Sequence, residues 1–101
     1  MSQQLISIQE KLEEKHHVFM VYSSQVNKDL ERSGFTAITS NQPEEFLGLL
    51  VELLQEAIED SDPRLQQLYY LADVQEKHLE KGIVLGFILR EWIKIQFRLR
   101  Q

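Results

Sequence analysis

The sequence of 101 residues contains no cysteine, only four glycines and only two prolines. Without cysteine, the chain can form no disulfide bond and no cysteine-ligated zinc or iron–sulfur site, and it has no thiol nucleophile. With so few glycines and prolines, it lacks the many tight turns of a β-sandwich or β-barrel. Long apolar runs are also missing, because the longest covers only residues 83–89, whereas a membrane span needs about 20 apolar residues. These absences favour a helical protein outside the membrane.

The remaining composition is typical of a globular domain, with 43% hydrophobic and 27% charged residues. The length corresponds to one domain, which we expect to cover residues 1–101. The first residues are not basic, and no apolar segment of the signal-peptide type follows them. We therefore expect a cytoplasmic protein.

The charge is distributed unevenly along the chain. The formal net charge is −5, but residues 44–63 contain seven acidic residues and neither lysine nor arginine. Residues 83–101 carry four basic residues against a single Glu91. The molecule as a whole should not attract nucleic acid, but its basic end offers one local site of positive charge.

The N-terminal third has the clearest periodicity. One stripe repeats at intervals of three and four residues, which predicts an amphipathic helix over residues 3–32. Its members are apolar except Lys15: Leu5, Ile8, Leu12, Lys15, Phe19, Tyr22, Val26 and Leu30. Polar residues, Gln25 and Asp29 among them, are expected on the opposite side. The alternative is a break within residues 17–24, where Val18 to Tyr22 are rich in strand-forming residues.

Four more helices are predicted, over residues 43–60, 63–72, 74–81 and 83–100. Turn and capping signals separate them, notably Pro43, Pro63 and Gly82. Residues 92–100 also alternate between apolar and polar residues, as in a strand, but no convincing second strand is available to pair with them. The predicted fold is all-α: a four- or five-helix bundle with a long N-terminal helix.

A continuous N-terminal helix would be about 45 Å long, whereas a domain of this size has a radius of gyration of only about 13 Å. The helix would extend beyond its own bundle and leave its stripe uncovered. We therefore expect a homodimer that is closed along an interaction seam. The seam comprises Leu5, Ile8, Leu12, Phe19, Tyr22 and Val26.

The segment Tyr70-Leu71-Ala72-Asp73-Val74-Gln75-Glu76, followed by a hydrophobic helix that ends in Arg98 and Arg100, resembles short, uncharacterised bacterial helical proteins with a Tyr-x-x-Asp-Val-x-Glu turn. The resemblance covers residues 46–101. It implies a helical second half and no particular activity.

Two groups of residues are candidates for binding or chemistry. Arg90, Lys94, Arg98 and Arg100 form a basic stripe on the last predicted helix, suited to phosphate groups or to an acidic partner. Glu13, His16 and His17 have the Glu-x-x-His spacing of helical metal sites, but matching ligands on other helices are missing from the sequence. No nucleophile motif or phosphate-binding loop is present.

The sequence therefore favours a non-enzymatic protein-interaction module, an adaptor or regulator that self-associates through its N-terminal helix. We expect no catalytic residue, metal or cofactor. The alternative is a nucleic-acid-binding regulator that uses the basic stripe.

Overall fold

The computed structural model describes residues 2–100, so the first and last residues of the predicted domain 1–101 lie outside it. Every regular element in this part of the chain is helical. The elements are α1 (Gln3–Glu14), α2 (His16–Arg32), α3 (Pro43–Glu59), α4 (Arg64–Leu71), a 3₁₀ helix (Glu76–Lys81) and α5 (Ile83–Leu99). The radius of gyration is 12.6 Å. None of the described helices is long and apolar enough to cross a membrane.

The predicted continuous helix over residues 3–32 is wrong, because the structure divides it in two at Lys15. Lys15 has an extended backbone (φ −138°, ψ 114°), which ends α1 and begins α2. The break lies just before the range 17–24 that we considered, at the only polar position of the stripe. Val18 to Tyr22 are helical despite their strand propensity, because Phe19 and Tyr22 are fully buried there. Tertiary packing outweighs local propensity at this point.

Helix α2 ends in a turn at Gly34, close to the predicted end at residue 32. Gly34 has a φ of +93°, and the amide of the next residue, Phe35, donates to the carbonyl of Leu30. This left-handed turn satisfies the last helix carbonyls and suits glycine, which has no Cβ. Arg64 covers the turn from outside, since its guanidinium donates to the Gly34 carbonyl (2.9 Å) and lies over the Phe35 ring.

The middle of the connection from α2 to α3 is attached to α2 by the side chain of Asn27. The amide nitrogen of Asn27 donates to the carbonyl of Ile38 (3.0 Å), and the Asn27 carbonyl oxygen accepts from the Ile38 amide (2.8 Å). One side chain thereby satisfies both backbone groups of Ile38, as a neighbouring strand would. The connection is held against the helix without being regular structure.

The later helices agree with the predicted ranges, with two differences. Residues 74–81 were expected to form an α-helix, but Glu76–Lys81 form the 3₁₀ helix instead, which is capped by Gln75 and His78. Residues 92–100 follow the helical alternative, since α5 runs to Leu99. The 3₁₀ helix lies directly against α5 at Gly86, where a Cβ would be 2.7 Å from the carbonyl oxygen of His78.

The core lies where α1, α2, α3 and α5 meet. Three of its largest fully buried side chains form an aromatic cluster with the partly buried Trp92; the cluster comprises Phe19, Tyr22, Phe46 and Trp92. The ring of Phe46 on α3 makes edge-on contacts with Phe19 and Tyr22, with centroids 5.7 and 6.3 Å apart. Edge-on geometry is favourable for aromatic rings beyond the apolar area that they bury. The cluster joins the N-terminal half of α2 to α3 and α5.

Candidate functional site

A cleft of about 300 Å³ lies between the C-terminal half of α2 and the middle of α5. We call it the basic cleft, because five of the chain's eleven lysines and arginines line it. Its lining consists of Gln25, Lys28, Asp29, Arg32, Leu71, Arg90, Lys94, Phe97 and Arg98. A chain with a net charge of −5 thus gathers nearly half of its cations around one small depression.

The cleft contains three of the four residues predicted as a basic stripe. Arg90, Lys94 and Arg98 are spaced at intervals of four residues on α5 and therefore lie on one face. Arg100 lies elsewhere, beside Trp92 in a separate depression. Helix α2 contributes Lys28 and Arg32 from the opposite side, and these two residues were not predicted from the sequence. Their own spacing of four residues was the available signal, but only the tertiary fold brings them to α5.

Two of the five cations are already paired. Arg90 donates to the carbonyl of Ala72 and to the carboxylate of Asp73, both at 3.2 Å, and so holds the turn after α4. That turn needs support, because Asp73 has a φ of +57°, which few non-glycine residues adopt. Lys94 pairs with Asp29, as described below. Lys28, Arg32 and Arg98 are exposed and form no ion pair with another described residue.

Asp29 forms the floor of the cleft and is only 2% exposed. One of its carboxylate oxygens accepts from the Lys94 ammonium (3.2 Å) and from the Gln25 amide (3.2 Å). Burial acts to raise its pKa, but the hydrogen bond with Glu91, the Lys94 charge and the Gln25 amide outweigh this effect, so its pKa lies below the ordinary value. Asp29 is therefore a buried carboxylate at neutral pH. Gln25 and Asp29 were predicted to lie on the solvated side of the helix, and this prediction is wrong, because α4 and α5 also pack against α2.

Glu91 lies behind the cleft and is fully buried. Among the described residues, no N–H or hydroxyl group donates to either of its carboxyl oxygens, and the Lys94 ammonium is 3.8 Å away. Burial raises the pKa of Glu91 to about 9, and the hydrogen bond with Asp29 and the charge of Asp29 act in the same direction. Two carboxyl groups can share a hydrogen bond only if one of them is protonated. At neutral pH Glu91 is therefore protonated and donates to Asp29.

Asp29, Glu91 and Lys94, which we call the carboxyl cluster, balance their charges internally: one carboxylate, one neutral carboxyl and one ammonium. The neighbouring Tyr22 hydroxyl donates to the carbonyl of Ile88 (3.1 Å), and its burial raises its pKa well above the ordinary value. It is therefore uncharged. The positive potential of the cleft thus comes from the exposed cations at its rim, while the buried groups below them add little net charge.

The predicted interaction seam lies inside the chain. Ile8, Leu12, Phe19, Tyr22 and Val26 are at most 3% exposed, and Leu5 is half-buried. Because the break at Lys15 divides the stripe between two helices, the chain covers the stripe with its own α3 and α5. The uncovered stripe from which we expected a dimer does not occur in this fold.

The residues of the metal hypothesis do not lie on one helix. Glu13 belongs to α1, whereas His16 and His17 begin α2, so the break at Lys15 interrupts the Glu-x-x-His spacing. Between residues 2 and 100, no group of three histidine or acidic side chains is placed to hold a metal ion. Comparison with protein-family models, curated proteins and solved structures gives no match.

Proposed function

We propose that this chain is a non-enzymatic, cytoplasmic interaction module that binds an acidic segment of a protein partner in the basic cleft. The observation that supports this is the convergence of Lys28 and Arg32 from α2 with Arg98 from α5, all exposed and unpaired among the described residues. Charge of this kind steers association and selects the partner more than it adds affinity.

The burial of Glu91 argues against catalysis at this site. A carboxyl group with a raised pKa beside a cleft would otherwise suggest a general acid. Such an acid must come within hydrogen-bond reach of a substrate atom, and Glu91 is 0% exposed. The carboxyl cluster therefore supports the fold of the cleft rather than a reaction in it.

The size of the cleft favours an acidic peptide over nucleic acid. A volume of about 300 Å³ suits one or two carboxylate side chains, and three exposed cations match that number. Nucleic acid bound by about three phosphate contacts would be held weakly and would be released readily by salt.

Binding to single-stranded nucleic acid is the second candidate function, and Phe97 is the observation that favours it. This ring lines the cleft beside Arg98 and is 62% exposed. An exposed aromatic ring next to a cation is a typical stacking platform for an unpaired base. It would also suit the apolar flank of an acidic peptide.

A fluorescence-anisotropy titration at low salt tests both candidates, with a labelled oligoglutamate peptide and a labelled single-stranded oligonucleotide. The test variant is Arg32→Glu with Arg98→Glu, which reverses one exposed charge on each side of the cleft. The matched control is Lys77→Glu with Lys81→Glu on the 3₁₀ helix, which changes the net charge equally outside the cleft. Lys94 is a poor choice for reversal, because its loss would leave Asp29 without its cation.

We expect the peptide to bind the native chain, and the cleft variant to lose about tenfold or more in affinity, equivalent to about 1.4 kcal/mol. The control should lose little. An equal loss in both variants would show that only net charge matters and would overturn the proposal. Binding of the oligonucleotide without binding of the peptide would replace it by the second candidate.

A further inference from the structure

We propose that two copies of this chain exchange their α1 helices, with Lys15 as the hinge at which α1 and α2 straighten into one helix. The partner is a second copy of the chain. The proposal rests on the hinge and on the groove that α1 fills, and it is independent of the basic cleft.

The break at Lys15 is not specified by local sequence. No glycine or proline occurs between residues 12 and 18, and Lys15 itself favours helix. The apolar stripe continues in phase across the break, since Leu12 and Phe19 keep the spacing of a single helix face. A continuous helix over residues 3–32 would therefore still present one apolar face. Only the packing of α1 back onto its own α3 and α5 requires the bend.

The bend leaves backbone groups without helical partners. The N-cap of α2 provides no side-chain hydrogen bond, and its carbonyl is shared between the amides of Val18 and Phe19. Exposed residues surround the hinge: Glu13, Glu14, Lys15, His16 and His17. Straightening would pair the last carbonyls of α1 with amides at the start of α2 and would bury no charged side chain. The hinge region is therefore more regular in the straight form.

The length of the straight helix explains why a second copy is needed. At about 45 Å it exceeds the 35 Å longest extent of the folded chain, so α1 would move off its own body. The groove left behind normally holds Ile8 and Leu12, which are 3% and 1% exposed. Only a segment with the same side chains fits it equally well, and the α1 helix of a second copy is such a segment. The exchange is reciprocal, as in a closed twofold dimer.

Two variants move the equilibrium in opposite directions. His16→Pro fixes the bend, because proline is favoured at the first position of a helix and the residue before proline favours the extended backbone that Lys15 has. Lys15→Leu completes the apolar stripe and removes the polar residue from the hinge. We expect His16→Pro to be a monomer at every concentration, with the helicity of the native chain by circular dichroism. We expect Lys15→Leu to lower the dimer dissociation constant about tenfold or more.

Light scattering after size exclusion measures the mass, and cross-linking identifies the exchange. Lys11 on α1 and Gln96 on α5 line the same depression, and the chain has no cysteine of its own. Copies with Lys11→Cys and copies with Gln96→Cys are refolded together in the Lys15→Leu background and treated with a short bismaleimide. The same two cysteines in one His16→Pro chain provide the intrachain control. Because only exchange places α1 of one copy on α5 of another, a covalent dimer of the two different copies supports the proposal.

Two results would overturn it. A dimer that yields no cross-link between the two kinds of copy, while the intrachain control does react, uses another interface. A Lys15→Leu chain that is monomeric at the highest attainable concentration shows that the chain does not exchange α1. Neither result bears on peptide binding in the basic cleft.

Discussion

Helix α2 is held in two different ways along its length. Its N-terminal half is fixed by the aromatic cluster, in which Phe19 and Tyr22 pack against Phe46. Its C-terminal half is fixed by the carboxyl cluster, in which Asp29 meets Lys94 and Glu91. Apolar packing is favourable wherever rings fit together, whereas a buried charge is tolerated only when its partners are in place. The polar half is also the half that lines the basic cleft, so the region that we propose for binding depends most on specific partners.

The largest expected effect comes from the aromatic half. Phe46→Ala removes a fully buried ring that contacts both Phe19 and Tyr22. Truncation of a buried phenylalanine lowers the free energy of unfolding by about 3–5 kcal/mol. That is a large share of the total stability of a small domain. Urea denaturation followed by circular dichroism measures it, and a loss of less than about 1 kcal/mol would show that the cluster is not the main support of this half.

The second largest loss of stability is expected from a change in the carboxyl cluster. Lys94→Met leaves the carboxylate of Asp29 without its cation. We expect a loss of about 2 kcal/mol, less than for a fully buried pair, because the Lys94 side chain is 23% exposed and Glu91 still donates to Asp29. Adding Asp29→Asn removes the unpaired charge and should restore part of the stability. Further destabilisation in the double variant would contradict the assignment of Lys94 as the neutralising partner.

The pH dependence of stability around neutral pH distinguishes the two halves, because Tyr22, the titratable residue of the aromatic cluster, stays uncharged there while the carboxyl cluster titrates. Folded Glu91 keeps its proton up to a pH of about 9, whereas in the unfolded chain it loses the proton near its ordinary pKa of 4.5. Between these values the folded state binds more protons, so the free energy of unfolding falls as pH rises, by at most about 1.4 kcal/mol per pH unit. The titration of Asp29 changes the free energy of unfolding in the opposite direction at low pH. Its pKa is lowered, so its contribution is present above the ordinary value of 3.8 and is lost as pH falls through the lowered value.

Glu91→Gln tests this expectation, since an amide can still donate to Asp29 but does not titrate. We expect the variant to be more stable than the native chain at about pH 8 and to lose the decline between about pH 5 and pH 8. Urea midpoints across that range measure the slope. Glu56→Gln, at an exposed position of α3, is the matched control. A native chain whose stability falls no more over this range than that of Glu91→Gln would show that Glu91 is ionised in the folded state.

The smallest effect provides a reference outside both clusters. Gly48 lies within α3, and a Cβ added there would meet no atom within 4 Å. Gly48→Ala should therefore stabilise the chain by about 0.5–1 kcal/mol through backbone entropy alone. Gly86→Ala is the contrasting variant, because its Cβ would be 2.7 Å from the His78 carbonyl oxygen and should destabilise the chain. If both variants shifted the thermal denaturation midpoint equally, the close contact between Gly86 and the His78 carbonyl oxygen would be contradicted.

The sequence predicts the aromatic half of α2 much better than the polar half. Phe19, Tyr22 and Val26 follow a helical period, and all three are buried as that period indicates. Gln25 and Asp29 look like solvated residues in any single-helix pattern, because their burial depends on α5, a helix far away in the chain. The break at Lys15 could not be predicted from the sequence either, since it results from the packing of α1 against α3 and α5. Helix ranges could be predicted from periodicity and turn residues, whereas the basic cleft required the tertiary arrangement of α2 and α5.

The side chain of Asn27 has a consequence for the order in which parts of the chain open. The Ile38 amide lies in an irregular segment, but the side chain of Asn27 accepts its hydrogen bond. We therefore expect it to be protected from hydrogen exchange as an amide in a strand would be. Native-state hydrogen exchange reports the free energy of the opening that exposes each amide. The Ile38 amide can exchange only after the side chain on α2 has released it. The middle of the connection therefore exchanges as part of the α2 unit.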